Sequence, residues 1–177
     1  MPSGKTHDAI TFLLTAPAFG AAYFALHDIV TATAVTAAFL FGGLMFGPDL
    51  DTASKQYSRW YIFRFLWFPY RMLFKHRSRW SHGLIFGTLF RVVYFVGALT
   101  LFAFAAVYAW ASITGGELPQ LFDFAQQWNT VGGYSARYFE ASVFAAVFIG
   151  MWAGAASHTF TDMAGTYIKT GRITEFL

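Results

Sequence analysis

The sequence predicts an all-α, polytopic membrane protein of about four transmembrane helices with interfacial helices between them. Three observations carry that reading: 12% of the 177 residues are charged, 56% are apolar and 21% aromatic, and the apolar residues fall into four long uncharged or nearly uncharged runs. A soluble domain carries about 25% charged residues to solvate its surface. So small a chain cannot hide this much apolar surface in one aqueous core.

The first run, Ala9–Leu26, has 18 uncharged residues. As helix it is roughly 27 Å long at ~1.5 Å per residue, close to the hydrocarbon thickness of about 30 Å. Ala16-Pro17-Ala18 loosely matches a signal-cleavage site. The apolar stretch before it, Phe12–Thr15, is short, and Asp8 stands where a basic region is expected, so the first span is expected to be retained. His27 and Asp28 punctuate a turn, and Ile29–Pro48 supplies the second span. The third covers about 83–113, centred on the uncharged run Val92–Gly116 with Arg91 as its one charge. Arg91 is expected to reach a headgroup. The fourth, about 141–161, begins at Ala141 and runs through His158 towards Asp162. Residues 1–177 thus read as a single integral-membrane domain.

Four spans put the N-terminus, Asp49–His82 and the C-terminal tail on one side. That side holds ten of the twelve Lys and Arg, with Arg137 alone on the other. By the positive-inside rule it is cytoplasmic, which places both termini in the cytoplasm of a bacterial inner membrane, plasma or internal. The same asymmetry accounts for the pI of 9.3 without a nucleic-acid partner.

Segment 49–82 interleaves arginines with Trp60, Tyr61, Phe63, Phe65, Trp67, Phe68, Tyr70 and Trp80. Such a mixture suits the headgroup layer and membrane-lipid contact, as interfacial helices interrupted at Pro69. On the far side, Leu118, Leu121, Phe122, Ala125 and Trp128 have the spacing of a short amphipathic helix. Pairs Gly43/Gly47, Gly83/Gly87 and Gly150/Gly154 are spaced for close helix approach.

The chain has no cysteine, which excludes disulfides and thiolate-held metals. The cytoplasmic side nevertheless gathers His7, Asp8, Asp49, Asp51, His76, His82, His158 and Asp162 at the ends of the spans. Asp49 and Asp51 alternate in Gly-Pro-Asp-Leu-Asp, and His158 and Asp162 share one helical face at i, i+4. Imidazole with carboxylate suits a divalent metal, zinc first, with manganese and iron also served. So many donors exceed one structural zinc, and fit a two-metal cluster or one metal with supporting partners. The same residue types also solvate helix ends, so spacing leaves a simple turn and cap open beside the metal reading.

These residues resemble a known family. The segments Pro2-Ser-Gly-Lys-Thr-His7-Asp-Ala-Ile-Thr, Phe41-Gly-Gly-Leu-Met-Phe-Gly-Pro-Asp49-Leu-Asp51, Trp67-Phe-Pro-Tyr-Arg71, His76-Arg-Ser-Arg-Trp-Ser-His82-Gly and Ser157-His158 through Asp162 are similar, in order and spacing, to a bacterial family of uncharacterised, metal-binding integral membrane proteins. More loosely they resemble the membrane-bound metal-dependent hydrolases. The resemblance implies a ligand set of His7, Asp49, Asp51, His76, His82, His158 and Asp162. Two functions follow as expectations. One is a metal-dependent hydrolase at the cytoplasmic leaflet acting on a lipid-linked or anionic substrate, with Asp8 or Asp51 as general base and Arg71, Arg77 and Arg79 binding substrate. The other is a non-enzymatic accessory subunit of a larger membrane protein complex, its helix ends tied by a structural metal or an ion-pair cluster. Transport is a weaker third, because the spans carry few polar groups at depth.

Overall fold

The computed structural model of the chain describes residues 3–74, 76, 78–84 and 86–171. Helices account for the architecture, and no strand occurs among the described residues. Helix α1 (Gly4–Leu26) starts where the Ser3 side chain accepts the Thr6 N–H at 3.3 Å. It ends at His27, whose left-handed backbone (φ 53°) closes the last turn onto the Tyr23 carbonyl. Asp28 then caps α2 (Ile29–Leu44), its carboxylate accepting the Thr31 N–H at 2.7 Å. Hydrogen-bonded in this exposed turn, Asp28 has its pKa held below the ordinary carboxylate value. Two capping residues therefore make the reversal that periodicity alone left as a short polar gap.

A 3-10 turn, Pro48–Asp51, follows α2, then the short α3 (Lys55–Ser58), a second 3-10 stretch, Tyr61–Trp67, and α4 (Phe68–Leu73). Pro69 sits in the first turn of α4 and opens that helix rather than ending one, because its missing N–H has no intrahelical partner there. Helix α5 (Arg79–His82) leads into α6 (Phe86–Thr114). Helix α7 (Leu121–Tyr138) runs further than the five-residue apolar pattern indicated, and α8 (Ala141–Thr170) continues past Asp162 to a left-handed Gly171 cap. Among the described residues, four elements are long and apolar enough to cross a membrane: Gly4–Leu26, Ile29–Asp51, Phe86–Thr114 and Ala141–Thr170.

Helices α1, α2 and α8 pack into one bundle, in which α2 and α8 share the most extensive contact. Glycines set that approach. A Cβ at Gly42 would collide with the Met151 carbonyl, one at Gly150 with the Val35 carbonyl and one at Gly154 with the Phe39 carbonyl. The pair Gly150/Gly154 behaves as its spacing indicated, while on α2 the closest contact falls at Gly42, outside the expected pairs. Helix α6 stands apart, packing chiefly on α5, the Tyr61–Trp67 stretch and α7.

The segment between α2 and α6 is buried on one face and exposed on the other. Trp67 and Tyr70 are fully buried with Phe46 and Leu50, and Tyr94 and Phe95 of α6 pack against them. Tyr94 ties the unit together, donating to the Leu66 carbonyl at 2.6 Å and accepting the Tyr70 N–H at 3.1 Å. The opposite face, with Tyr61, Ile62, Phe68, Met72 and Leu73, is exposed. The segment folds as a half-buried cap because its large rings find partners on α2 and α6 as well as outward contact.

Candidate metal centre

The Pro48–Asp51 turn and α5 of this cap, together with α1 and α8 of the bundle, deliver polar side chains to one place. His7 lies one turn inside α1, Asp49 and Asp51 lie in the Pro48–Asp51 turn, His82 ends α5, and His158 and Asp162 lie on one face of α8. His76 comes from the connection before α5. The donors form two groups, Asp49/Asp51/His76/His82 and His7/His158/Asp162, and within each the candidate atoms lie within 4.8 Å of one another.

Asp49 joins the two. Its Oδ1 is 3.5 Å from His82 Nε2 in the first group, and its Oδ2 is 3.2 Å from His158 Nε2 in the second. In the second group Asp162 places Oδ1 3.3 Å from His7 Nε2 and Oδ2 3.7 Å from His158 Nε2. The rings of His7 and His158 stack with their centroids 3.7 Å apart. In the first group His76 Nδ1 donates to Asp51 Oδ1 at 2.7 Å, and His82 Nδ1 faces Asp51 Oδ2 at 3.4 Å and Ser81 Oγ at 3.0 Å. Asp51 thus touches the inner nitrogen of both imidazoles, the contact by which a carboxylate orients metal-binding histidines.

The donor atoms are close together yet poorly paired. Asp49 Oδ1, Asp51 Oδ2, His82 Nε2, His158 Nε2 and both Asp162 oxygens are buried without a hydrogen-bond partner among the described residues. Buried polar atoms left this way cost free energy unless something else binds them. Three carboxylates against four imidazoles give this cluster a charge of −3 when the histidines are neutral, which favours cations. His82 registers that field. Burial alone would lower its pKa, and the facing Asp49 and Asp51 carboxylates raise it above the ordinary value. Imidazoles and carboxylates without thiolate form a donor set suited to zinc, manganese or iron, so the residues present fit a divalent metal.

Among the described residues the cluster is approached from two places. The His76 side chain is 38% exposed, and on the other flank a cavity of about 160 Å3 is walled by His7, Asp49, His158 and Gln56.

Gln56, unremarkable in the sequence, is 3% exposed and central to the geometry. Its Oε1 accepts the Asp49 N–H at 3.1 Å, while its Nε2 donates to the Gly43 carbonyl at 2.7 Å and lies 3.2 Å from His158 Nδ1. The two backbone partners fix which end of the amide is nitrogen, so Gln56 presents an N–H to His158. His158 thus has Nδ1 towards the Gln56 amide and Nε2 towards Asp49 and Asp162. The two groups therefore differ: carboxylate orients the first, an amide donor the second.

Arg91 is also placed differently from expectation. It is 2% exposed, and it donates to the Ser81 carbonyl at 2.6 Å and to Thr88 Oγ1 at 2.9 Å. Acceptors inside the fold replace the headgroup, and the guanidinium braces α5 beside His82. The Tyr70 phenol near it is pushed by burial up to about 12 and stays protonated. Of the expected substrate arginines, Arg71 does not line the cavity. The Arg71 guanidinium lies 4.5 Å over the Tyr57 ring, Arg79 opens α5, and Arg77 lies outside the described residues. Asp8 lines the cavity but belongs to neither donor group; its Oδ2 accepts from Arg59 at 2.7 Å and from Lys55 at 3.3 Å.

No curated protein and no solved structure matches the chain. Residues 2–172 match the family model described as "Uncharacterized metal-binding protein (DUF2227)". With nearly its whole length matched, the chain belongs to this family of metal-binding proteins.

Proposed function

We propose that the protein is a metal-dependent hydrolase of a bacterial inner membrane, holding two divalent ions at the cytoplasmic ends of its helices and acting on a lipid-linked or anionic substrate. The observation that carries this reading is Asp49, which offers one carboxylate oxygen to each of two donor groups that each also hold two histidines and an aspartate of their own. Divalent ions bound there, zinc first in this reading, would supply Lewis acidity and a water nucleophile at neutral pH. His76, His82 and Asp51 hold one position, His7, His158 and Asp162 the other, and Asp51 also fixes the direction of both histidines in its group. Asp8, the cavity-wall carboxylate outside both groups, is the proton acceptor of the reading. The cavity and the exposed edge of His76 favour catalysis, since a purely structural metal is enclosed by protein ligands.

Membrane lipids are the surrounding partner, with both termini on the cytoplasmic side. The loading of Lys and Arg on the cluster's side supports this orientation.

A second reading, an accessory subunit of a larger membrane complex, rests on a different observation: no residue of the most apolar stretch of α6 is buried. That face is open to a lipid or a protein neighbour.

Elemental analysis of purified protein tests the first reading. Two divalent ions per chain are expected, together with chelator-sensitive hydrolysis of p-nitrophenyl phosphate. His158→Ala should reduce both metal and turnover, whereas Asp8→Asn should abolish turnover and leave the metal. Metal-free protein from metal-replete cells would overturn the reading, and full metal loading with no open coordination position would support the subunit instead.

A further inference from the structure

The cavity beside the cluster has a cationic rim that the arginine-rich motifs of the sequence did not indicate. Gly4, Asp8 and Lys55 border the same space as His7, Asp49 and His158. Lys55 lies flat across Gly4, where an added Cβ would stand 2.9 Å from Lys55 Cδ. Its ammonium and the Arg59 guanidinium meet at a single atom, Asp8 Oδ2, at 3.3 and 2.7 Å. Two cations sharing one carboxylate leave the rim with one positive charge in excess.

The rim also keeps donors in reserve. An ammonium carries three N–H groups and a guanidinium five. Among the described residues Lys55 uses one contact, to Asp8, and Arg59 two, to Asp8 and to the Leu44 carbonyl at 2.7 Å. The carboxylate already present marks where an oxyanion sits between the two cations. A group held there has its other end in the cavity, whose wall includes His7, Asp49 and His158.

Resting on the metal-centre reading above, we propose that Lys55 and Arg59 bind a phosphate group of the substrate at the mouth of this cavity, displacing Asp8 from between them. Displacement also releases Asp8 from its two cations at the moment substrate arrives. Phosphate chemistry has two sources here, a lipid headgroup or a soluble phosphate ester. An apolar groove begins one residue away on both flanking helices. Thr6 and Ser157 line it next to His7 and His158, and it continues past Ile10, Leu14 and Phe160.

Titration calorimetry of the full chain in detergent, with inorganic phosphate as the probe, tests the proposal. Lys55→Met, at a side chain 48% exposed, should weaken phosphate binding about tenfold or more while metal content stays unchanged. Asp8→Asn should strengthen it by removing the competing anion. Phosphate affinity that does not change in Lys55→Met, or wild-type protein that binds no phosphate, overturns the proposal. If the protein proves metal-free, the hydrolase reading fails, and the same titration still reads the rim: phosphate binding that depends on Lys55 upholds the anion site, and binding that does not overturns it. The source is read from Ala164→Trp, which fills the groove at an exposed position. Weaker capture of phosphatidic acid in phosphatidylcholine nanodiscs, with inorganic phosphate binding unaltered, assigns the lipid. Equal capture assigns the soluble ester.

Discussion

The α1–α2–α8 bundle and the α6–α7 hairpin each contain a long apolar helix, α8 and α6, and the two meet very different fates. In α8, 39% of the most apolar window is buried, and in α6 none of it is. Hydropathy does not explain the contrast, since α6 is the more apolar of the two. In a lipid solvent an apolar face gains little by leaving the hydrocarbon, so helices associate only where surfaces fit closely or polar groups demand partners. Helix α8 has both. Gly150 and Gly154 let it approach the α2 backbone, and Ser157, His158, Thr159, Thr161 and Asp162 are all buried along its C-terminal half. Helix α6 buries Gly87, Thr88 and Arg91 near its start, and its later Gly97 has no atom near an added Cβ within 4 Å.

The sharpest way to break this comparison is to place the same kind of change in both regions. Gly154→Leu drives a side chain into the Phe39 carbonyl and should destabilise the bundle by about 3 kcal/mol or more. Metal content should fall with it, because α8 carries His158 and Asp162. Gly97→Leu in α6 meets nothing and should leave the melting temperature nearly unchanged. Thermal unfolding in detergent compares the two, and equal losses would show that close packing is not what separates the regions.

Next in size is the cluster itself. Asp49→Ala removes the shared carboxylate and should bring bound metal to background. His27→Ala, in the exposed turn between α1 and α2, should leave it intact. Elemental analysis of both variants decides. Retention of one full equivalent in Asp49→Ala would mean that the two groups are independent.

Gln56→Glu sharpens the difference between the two halves of the cluster. A carboxylate in place of the amide nitrogen accepts from His158 Nδ1 and so turns the Nε2 lone pair towards the second position. The affinity of the weaker-bound ion should rise about tenfold in chelator competition, with the tighter ion unaffected. Glutamate also faces the Gly43 carbonyl, so a modest loss of stability accompanies the gain. No change, or a fall, in the weaker affinity would remove Gln56 from the account of that position.

How much of this was legible beforehand follows from the same physics. The four long helices were readable because the bilayer demands long uncharged runs, and the turn at His27–Asp28 because capping residues announce themselves locally. His7, Asp49, Asp51, His76, His82, His158 and Asp162 could be singled out by residue type and by their place at the helix ends. Gln56, Lys55 and Arg59 could not. They act through burial or through a shared partner forty-seven or more residues away, and no spacing rule encodes that. The inward turn of Trp67 and Tyr70 was hidden for a related reason: an aromatic ring in a headgroup layer and one in a core have the same sequence appearance. Arg91 was misplaced because its acceptor, the Ser81 carbonyl, comes from a four-residue helix that has no periodic signal.

The smallest expected effect concerns the hairpin alone. Trp128 of α7 donates its indole N–H to Thr100 Oγ1 of α6 at 2.7 Å, and Phe124 meets Phe104 one turn along, at 5.9 Å between centroids. With no buried residue on α7, these contacts are what hold it against α6. Trp128→Phe keeps a ring at the position and deletes the donor, a change of about 1 kcal/mol for one neutral hydrogen bond. If the hairpin is energetically separate from the bundle, that loss stays local. Amide hydrogen exchange should accelerate across Leu121–Tyr138, while exchange in α1, α2 and α8, the melting temperature and the metal content hold at wild-type values. A fall in melting temperature approaching that of Gly154→Leu would instead make hairpin and bundle one cooperative unit. The open face of α6 would then contribute to global stability through its few anchoring contacts with the cap.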